Sequence, residues 1–430
     1  MTSLSSQPYK GTRDYYPEDK RVQNYIFETW RKVVERFGYE EYGAPILENL
    51  DIYAAKSGQE LVNEQTYVFT DRGGRTVAIR PEMTPTISRM VAARRQELAY
   101  PARLFSIANF MRYERPQRGR EREFWQLNVD IFGGDDLPAD VEIITISDAI
   151  LKEFGAKAGD YIIRINNRKF IHYMMAEYLG LDSVGALQMT KLFDRRNKIT
   201  EQDFEEQALL ILGESQADDL VKIKQVLDAK DIESLPEELK HVSALDEIRQ
   251  VFEGLRGAGV DGAIFDATLM RGLDYYTGTV FEVFDTHPDN NRSLFGGGRY
   301  DGLVGLFGAE PISAVGVAPG NSMIENFLEV HGLIPENKSK TDVYIVVIGD
   351  ALNDARRVAY ELRQAGLNVE VDITSRKLDK QIKTAVKKSI GYLLFVGEKD
   401  SESGLYSLKS VSDETEESLT PAQIVDKLQA

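Results

Sequence analysis

The chain of 430 residues contains no cysteine, which excludes disulfides, thiolate metal sites and cysteine nucleophiles. Histidine is nearly as scarce. His172, His241, His287 and His331 stand far apart with no metal-ligand spacing, so a zinc site is not expected. No apolar run approaches the roughly 20 residues that a membrane span needs. Positions 1–10 are polar and lack the apolar segment of a secretory signal, which predicts a cytoplasmic protein with no membrane partner. Positive charge is in deficit: 52 Lys and Arg against 69 Asp and Glu leave a net charge of −17. The balance argues against diffuse, non-specific binding to nucleic acid and leaves room for a local basic patch. What is present suffices for a large core. With 42% hydrophobic residues the chain is not disordered, and its length predicts two to three domains.

Residues 1–170 read as mixed helix and strand. Pro17, Glu18 and Asp19 favour a helix start, and Val22, Tyr25, Ile26, Thr29, Trp30, Val33, Val34 and Phe37 follow helical spacing up to Gly38. Residues 42–48 predict a short strand at an edge or interface, because Pro45 cannot donate to a central ladder. Strand-like runs follow at 76–80, 103–108 and 123–132. A helix between the first two carries Ile87, Met90, Val91 and Leu98 on one face. Residues 170–260 are acidic and of helical period, a helical insertion. Strand signals return at 262–285 and 312–319, so the insertion interrupts one sheet. A polar linker is expected at 329–341, then strand–helix alternation over 342–430, an α/β domain.

Several segments combine residues that suit chemistry. Period 2 puts Gln126, Asn128 and Asp130 on one face of the strand 123–132, which reads equally as the wet face of an edge strand or the wall of a site. The loop R-Y-E-R-P-Q-R-G-R-E-R at 112–122 runs straight into it. Its arginines can clamp phosphates, or form a solvated loop part-neutralised by Glu114 and Glu121. R-P-E-M-T at 80–84 offers Glu82 and Thr84 to a ligand amine, or Thr84 as a helix cap. R-G-L-D-Y-Y-T-G at 271–278 can orient a small polar ligand or turn between strands. F-G-G-G-R-Y-D-G at 295–302 is no P-loop and reads as a close backbone approach, a bulge or a turn. Lys380, Lys383 and Lys387 share one face of a helix, with Arg376 and Lys377 before it. That face suits a nucleic-acid backbone or simply water.

Taken in order, these segments resemble the histidyl-tRNA synthetases, a family of class II aminoacyl-tRNA synthetases. The resemblance spans nearly the whole chain: K-G-T-R-D-Y-Y-P at 10–17, the edge region at 39–48, F-M-R-Y-E-R-P-Q-R-G-R-E-R-E-F at 110–124, R-G-L-D-Y-Y and G-G-G-R-Y-D-G-L. It implies an α+β fold: a catalytic domain at 1–328 with an antiparallel sheet flanked by helices, the helical insertion, and an anticodon-binding domain at 342–430. It also implies a homodimer that activates L-histidine with ATP, with magnesium expected, and passes it to the histidine tRNA. Carried over by position, Glu82, Met83, Thr84 and Gln126 would hold the substrate amine region. Asp130 and Tyr276 would meet the imidazole, with Tyr275 and Tyr300 shaping its pocket. Arg112 would bind the α-phosphate and carboxylate, and Arg271 would neutralise developing charge. Arg115 and Arg120 would serve ATP; Gln117, Arg376, Lys377, Lys380, Lys383 and Lys387 would serve tRNA. One position departs. The third class motif ends in G-x-x-R, and here V-G-V-A-P-G-N-S-M-I-E at 315–325 puts Met323 where the arginine is expected. The alternative is a non-catalytic, histidine-binding regulatory paralogue.

Overall fold

In a computed structural model, the structure describes residues 4–54, 61–115, 117–134, 136–196, 199–213, 219–270, 275–290, 292–336, 338–374 and 376–429. They form two compact units, Met1–Ile334 and Pro335–Ala430. In the first, the strands are β1 (Glu40–Glu41), β2 (Leu47–Asn49), β3 (Tyr67–Thr70), β4 (Thr76–Ile79), β5 (Ala102–Met111) and β6 (Glu123–Phe132). After them come β7 (Tyr161–Asn167), β8 (Ala263–Phe265), β9 (Thr279–Asp285), β10 (Ser293–Arg299) and β11 (Ala314–Val317). Eight of these make one sheet in the order β1-β5-β6-β11-β10-β9-β7-β8. Its pairs are antiparallel except β1–β5 and β7–β8 at the two ends.

The helices Pro17–Arg36 and Asp136–Glu153 cover one face of this sheet. The spacing of Ile26, Trp30, Val33 and Val34 brings all four into one core with Ile143, Ile146 and Ile150, packed on Val129, Ile131, Val283 and Val315. Pro17 opens the first helix at a position that needs no N–H. The insertion, from Arg168 to Gly257, builds a separate core from Phe170, Met174, Leu192, Phe204, Leu245 and Ile248.

Three expectations change. The strand predicted at 42–48 is split: β1 and β2 flank it, and the carbonyls of Ala44 and Pro45 accept from the Arg80 guanidinium instead of a ladder. The helix Thr84–Ala93 stops short of Leu98, which joins the same core as Ile87 and Val91 from the turn beyond. The strand 123–132 is not an edge. β6 lies between β5 and β11, and its face with Asn128 and Asp130 is buried.

The second unit has strands β12 (Val343–Val347), β13 (Val369–Val371), β14 (Tyr392–Val396), β15 (Tyr406–Ser410) and β16 (Glu416–Leu419) in the order β13-β12-β14-β15-β16. The first three are parallel and the last two antiparallel, with helices Leu352–Gln364 and Leu378–Lys387 between the parallel strands. The helix Asn321–Val330 runs into the stretch read as linker.

Candidate active site

The site is built where β6, β10 and β11 meet the turn before the helix Thr84–Ala93. Asp130 on β6 is buried and accepts from the Tyr300 hydroxyl at 2.5 Å. Burial pushes its carboxyl up to about 7, and the Tyr300 hydrogen bond works against that rise. Gly316 faces Asp130 across the ladder. A β-carbon there would stand 2.2 Å from the carboxylate oxygen, and one at Gly297 would stand 2.1 Å from the Gly316 carbonyl. The triple glycine is therefore neither turn nor bulge. It is a central strand whose missing side chains let a buried carboxylate and a tyrosine wall approach the sheet.

Glu82 is buried and accepts from the Tyr275 hydroxyl at 3.0 Å. Met83, not Thr84, occupies the N-cap position of the following helix, with no side-chain cap. Thr84 is thereby left to meet the Tyr275 hydroxyl. The Met83 side chain packs on Ala108 and Phe110. Tyr275 stands edge-on to Tyr276 and Tyr300, at 5.1 and 5.8 Å between ring centroids. Burial, with Glu82 and Asp130 adding, holds the Tyr276 phenol neutral far above its usual range. Gln126 donates from its amide to the Ala318 carbonyl at 3.1 Å. Glu82, Asp130, Tyr275, Tyr276 and Tyr300 thus converge in one buried cluster, with Gln126 at the β6–β11 junction. Arg271, with Gly272 to Asp274, lies outside the described residues.

Arg112 ends β5. Its Nε donates to the Pro81 carbonyl at 2.8 Å, next to Glu82, and its guanidinium lies 5.2 Å from the centre of the Phe124 ring. The loop beyond it separates its arginines by role. Arg122 is buried, lies 3.9 Å over the Tyr113 ring and donates to the Tyr9 hydroxyl, so it holds the loop and is not open to a phosphate. Arg120 reaches Glu114 at 3.4 Å, and the backbones of Gln117 and Arg120 bridge to each other. Arg118 meets Glu329 at 3.9 Å. Arg115 is exposed, and among the described residues it makes no ion pair or hydrogen bond. At the tip, Gly119 has φ +77° and lies on Met323: a β-carbon would stand 2.4 Å from the methionine sulfur.

One network has no counterpart in the sequence reading. Asn321, fully buried, accepts from the Trp125 N–H at 2.7 Å and donates to the Tyr15 hydroxyl at 3.2 Å. Arg13 joins Glu325 and Asp19 at 3.1 and 2.9 Å. Burial pushes the Tyr15 phenol up to about 12, with Glu121 adding to the rise. These contacts tie the segment K-G-T-R-D-Y-Y-P to the start of β6. No spacing rule links residues three hundred positions apart, so only the family pattern at 10–17 hinted at them.

In the second unit, Lys377 stands at the N-cap of helix Leu378–Lys387, and Lys380, Lys383 and Lys387 project from it into water. Arg376 is held instead by Asp372 at 3.2 Å and by Thr374.

The family model described as histidyl-tRNA synthetase matches residues 11–321. The chain belongs to the histidyl-tRNA synthetase family. A second family model, an anticodon-binding domain, matches residues 342–430. A histidine–tRNA ligase of Leptospira biflexa is 40% identical over 99% of this chain and 98% of its own length. That of Haloarcula marismortui is 37% identical over 94% of this chain and 93% of its own. The crystal structure of histidyl-tRNA synthetase from Nostoc sp. PCC 7120 superposes with a TM-score of 0.83 at 24% identity, covering 99% of both chains. That likeness carries the class II α+β fold of the synthetase family to this chain.

Proposed function

We propose that the protein is an ATP-dependent ligase that joins L-histidine to the 3′ end of its tRNA. The histidine carboxylate attacks the α-phosphorus of ATP and pyrophosphate leaves. A terminal ribose hydroxyl of the tRNA then attacks the acyl carbon and AMP leaves. The observation that carries this reading is the convergence of two buried carboxylates and three tyrosines in one pocket, with Arg112 against Pro81 beside it. Glu82, Thr84 and Gln126 hold the α-amino group. Asp130 and Tyr276 meet the imidazole, whose two unlike nitrogens allow two partners to select it over isosteres. Arg112 and Arg271 stabilise the charge that builds on the phosphorus-bound oxygens. Arg115 and Arg120 take the outer phosphates.

Magnesium is expected to come with ATP, because it favours phosphate and water oxygens over all-protein cages. Among the described residues no three acidic or histidine side chains converge as a ligand set. Gln117 and the lysines of helix Leu378–Lys387 contact the tRNA. The protein is expected to work as a cytoplasmic homodimer. Support for the dimer comes from exposed apolar residues on the separate three-stranded sheet β2-β4-β3, with Leu47 45% and Phe69 44% exposed. Among the described residues no helix is long and apolar enough to cross a membrane.

Histidine-dependent exchange of label between pyrophosphate and ATP, followed by charging of histidine tRNA, tests the reading. Met323 favours a second one, a histidine-binding regulator that does not handle ATP. Histidine binding without exchange would select it.

A further inference from the structure

Two hydroxyls at the floor of the histidine pocket have no part in the roles above. Tyr42 follows β1, and its N–H donates to the Phe105 carbonyl at 2.8 Å. Ser106 on β5 stands opposite Asn128 of β6, so Ser106, Asn128 and Asp130 share one face of the sheet. The Tyr42 ring packs into the cluster that holds Tyr275, Tyr276 and Tyr300, and also against Met83 and Phe110. The Tyr42 hydroxyl interacts with the Ser106 hydroxyl, the Asp130 carboxylate and the Arg80 guanidinium. Ser106 is 2% exposed. Both hydroxyl oxygens are sealed from solvent, and beyond a contact between the two of them neither has a hydrogen-bond partner within the protein. Buried polar atoms without a partner are rare and costly, and each calls for a cause.

We propose that Tyr42 and Ser106 are positioning residues of the histidine site, holding one water between their hydroxyls and the Asp130 carboxylate. The inference rests on the reading that Asp130 receives the substrate imidazole. A water in that place has three polar partners, the usual number for a buried one. It donates to the carboxylate, which fixes the group's orientation and favours its ionised form. That help matters because burial drives Asp130 toward the neutral form, and among the described residues Tyr300 is its direct donor. The other titratable groups facing it are the phenols of Tyr42, Tyr39 and Tyr276. Behind these stand Arg80 at Tyr42, Glu142 and Arg103 at Tyr39, and Glu82 and Glu282 at Tyr276. None of those phenols donates to the carboxylate directly.

The test titrates Asp130 in the full chain by carbon-13 NMR of labelled aspartate, assigned with Asp130→Asn. It compares the unaltered protein with Tyr42→Phe, Ser106→Ala and the double variant. The KM values for histidine and for ATP in pyrophosphate exchange are measured alongside. Losing the donor should raise the Asp130 midpoint by about half to one pH unit. It should raise the histidine KM about five- to twentyfold and leave the ATP KM within about twofold. An unmoved Asp130 midpoint overturns the proposal, as does an unmoved histidine KM. So does an ATP KM that rises as far as the histidine KM, since the hydroxyls would then serve packing alone. If the unaltered protein showed no histidine-dependent exchange, the ligase reading would fail. The NMR titration would still decide whether Tyr42 and Ser106 act on Asp130.

Discussion

The buried site around Asp130 and the arginine loop share strand β6, and they treat polar groups in opposite ways. In the pocket, Asp130 and Glu82 are buried, and each has a tyrosine hydroxyl for a partner. In the loop, Arg115 and Arg120 stay exposed, and the Glu114 carboxylate takes a long contact from Arg120. Selecting a small polar side chain requires a dry site, because discrimination comes from groups left unpaired when the wrong ligand binds. A triphosphate brings its own large charge. Cations that meet it from water avoid the cost of being buried alone in the free protein. Arg112 sits at the junction, with a fixed backbone contact and a guanidinium on the Phe124 face.

The junction should show the largest effect. Arg112→Ala is expected to lower kcat for exchange about 100- to 1,000-fold, the scale for losing one preorganised donor at developing charge. The histidine KM should change much less. A variant with near-normal kcat and raised KM for both substrates would make Arg112 a binding residue only, and the boundary between pocket and loop would dissolve.

Next is the pocket. Asp130→Ala should raise the histidine KM about ten- to a hundredfold, for the loss of a charge-assisted hydrogen bond of about 1.5–3 kcal/mol. The ATP KM should stay within about twofold. If both rise together, the pocket and the loop are one cooperative site and the contrast drawn above is wrong.

Much of this was legible because local pattern carries it. The period-2 face of 123–132 placed Asp130 beside Gln126, and helical spacing found the residues that pack on the sheet. What stayed hidden depends on contacts distant in sequence. β16, a short exposed strand of Glu416–Leu419, has no apolar alternation to announce it. The interior place of β6 follows from pairing with β11 nearly two hundred residues later. Tyr42 and Ser106 read as ordinary strand residues until the sheet brings them to Asp130. The triple glycine could be assigned only once Gly316 and Tyr276 were seen to crowd it.

The loop itself should respond more weakly. Arg120 already has Glu114, while Arg115 is unpaired among the described residues. Arg115→Ala should raise the ATP KM about tenfold, and Arg120→Ala somewhat less. Met323→Arg should gain little, because the loop tip at Gly119 lies on Met323 and a longer side chain would have to displace it. If Met323→Arg instead switches on exchange in an otherwise silent protein, the regulatory reading wins.

The smallest effects are expected on helix Leu378–Lys387, whose chemistry resembles the loop's and not the pocket's. Lys380, Lys383 and Lys387 are exposed, and phosphate contacts from water contribute mainly by releasing counterions. Each change to alanine should therefore raise the tRNA KM only about two- to fivefold, with histidine and ATP values untouched. Each should also lower the slope of log affinity against log salt by about 0.7–0.9. The three effects should add, since exposed charges share no buried partner. Arg376→Ala makes a useful control, because Asp372 and Thr374 already hold that guanidinium. It should loosen the second unit without changing the salt slope. A salt slope that drops with Arg376→Ala and holds with the lysine variants would move the tRNA contact off this helix face and onto the turn before it.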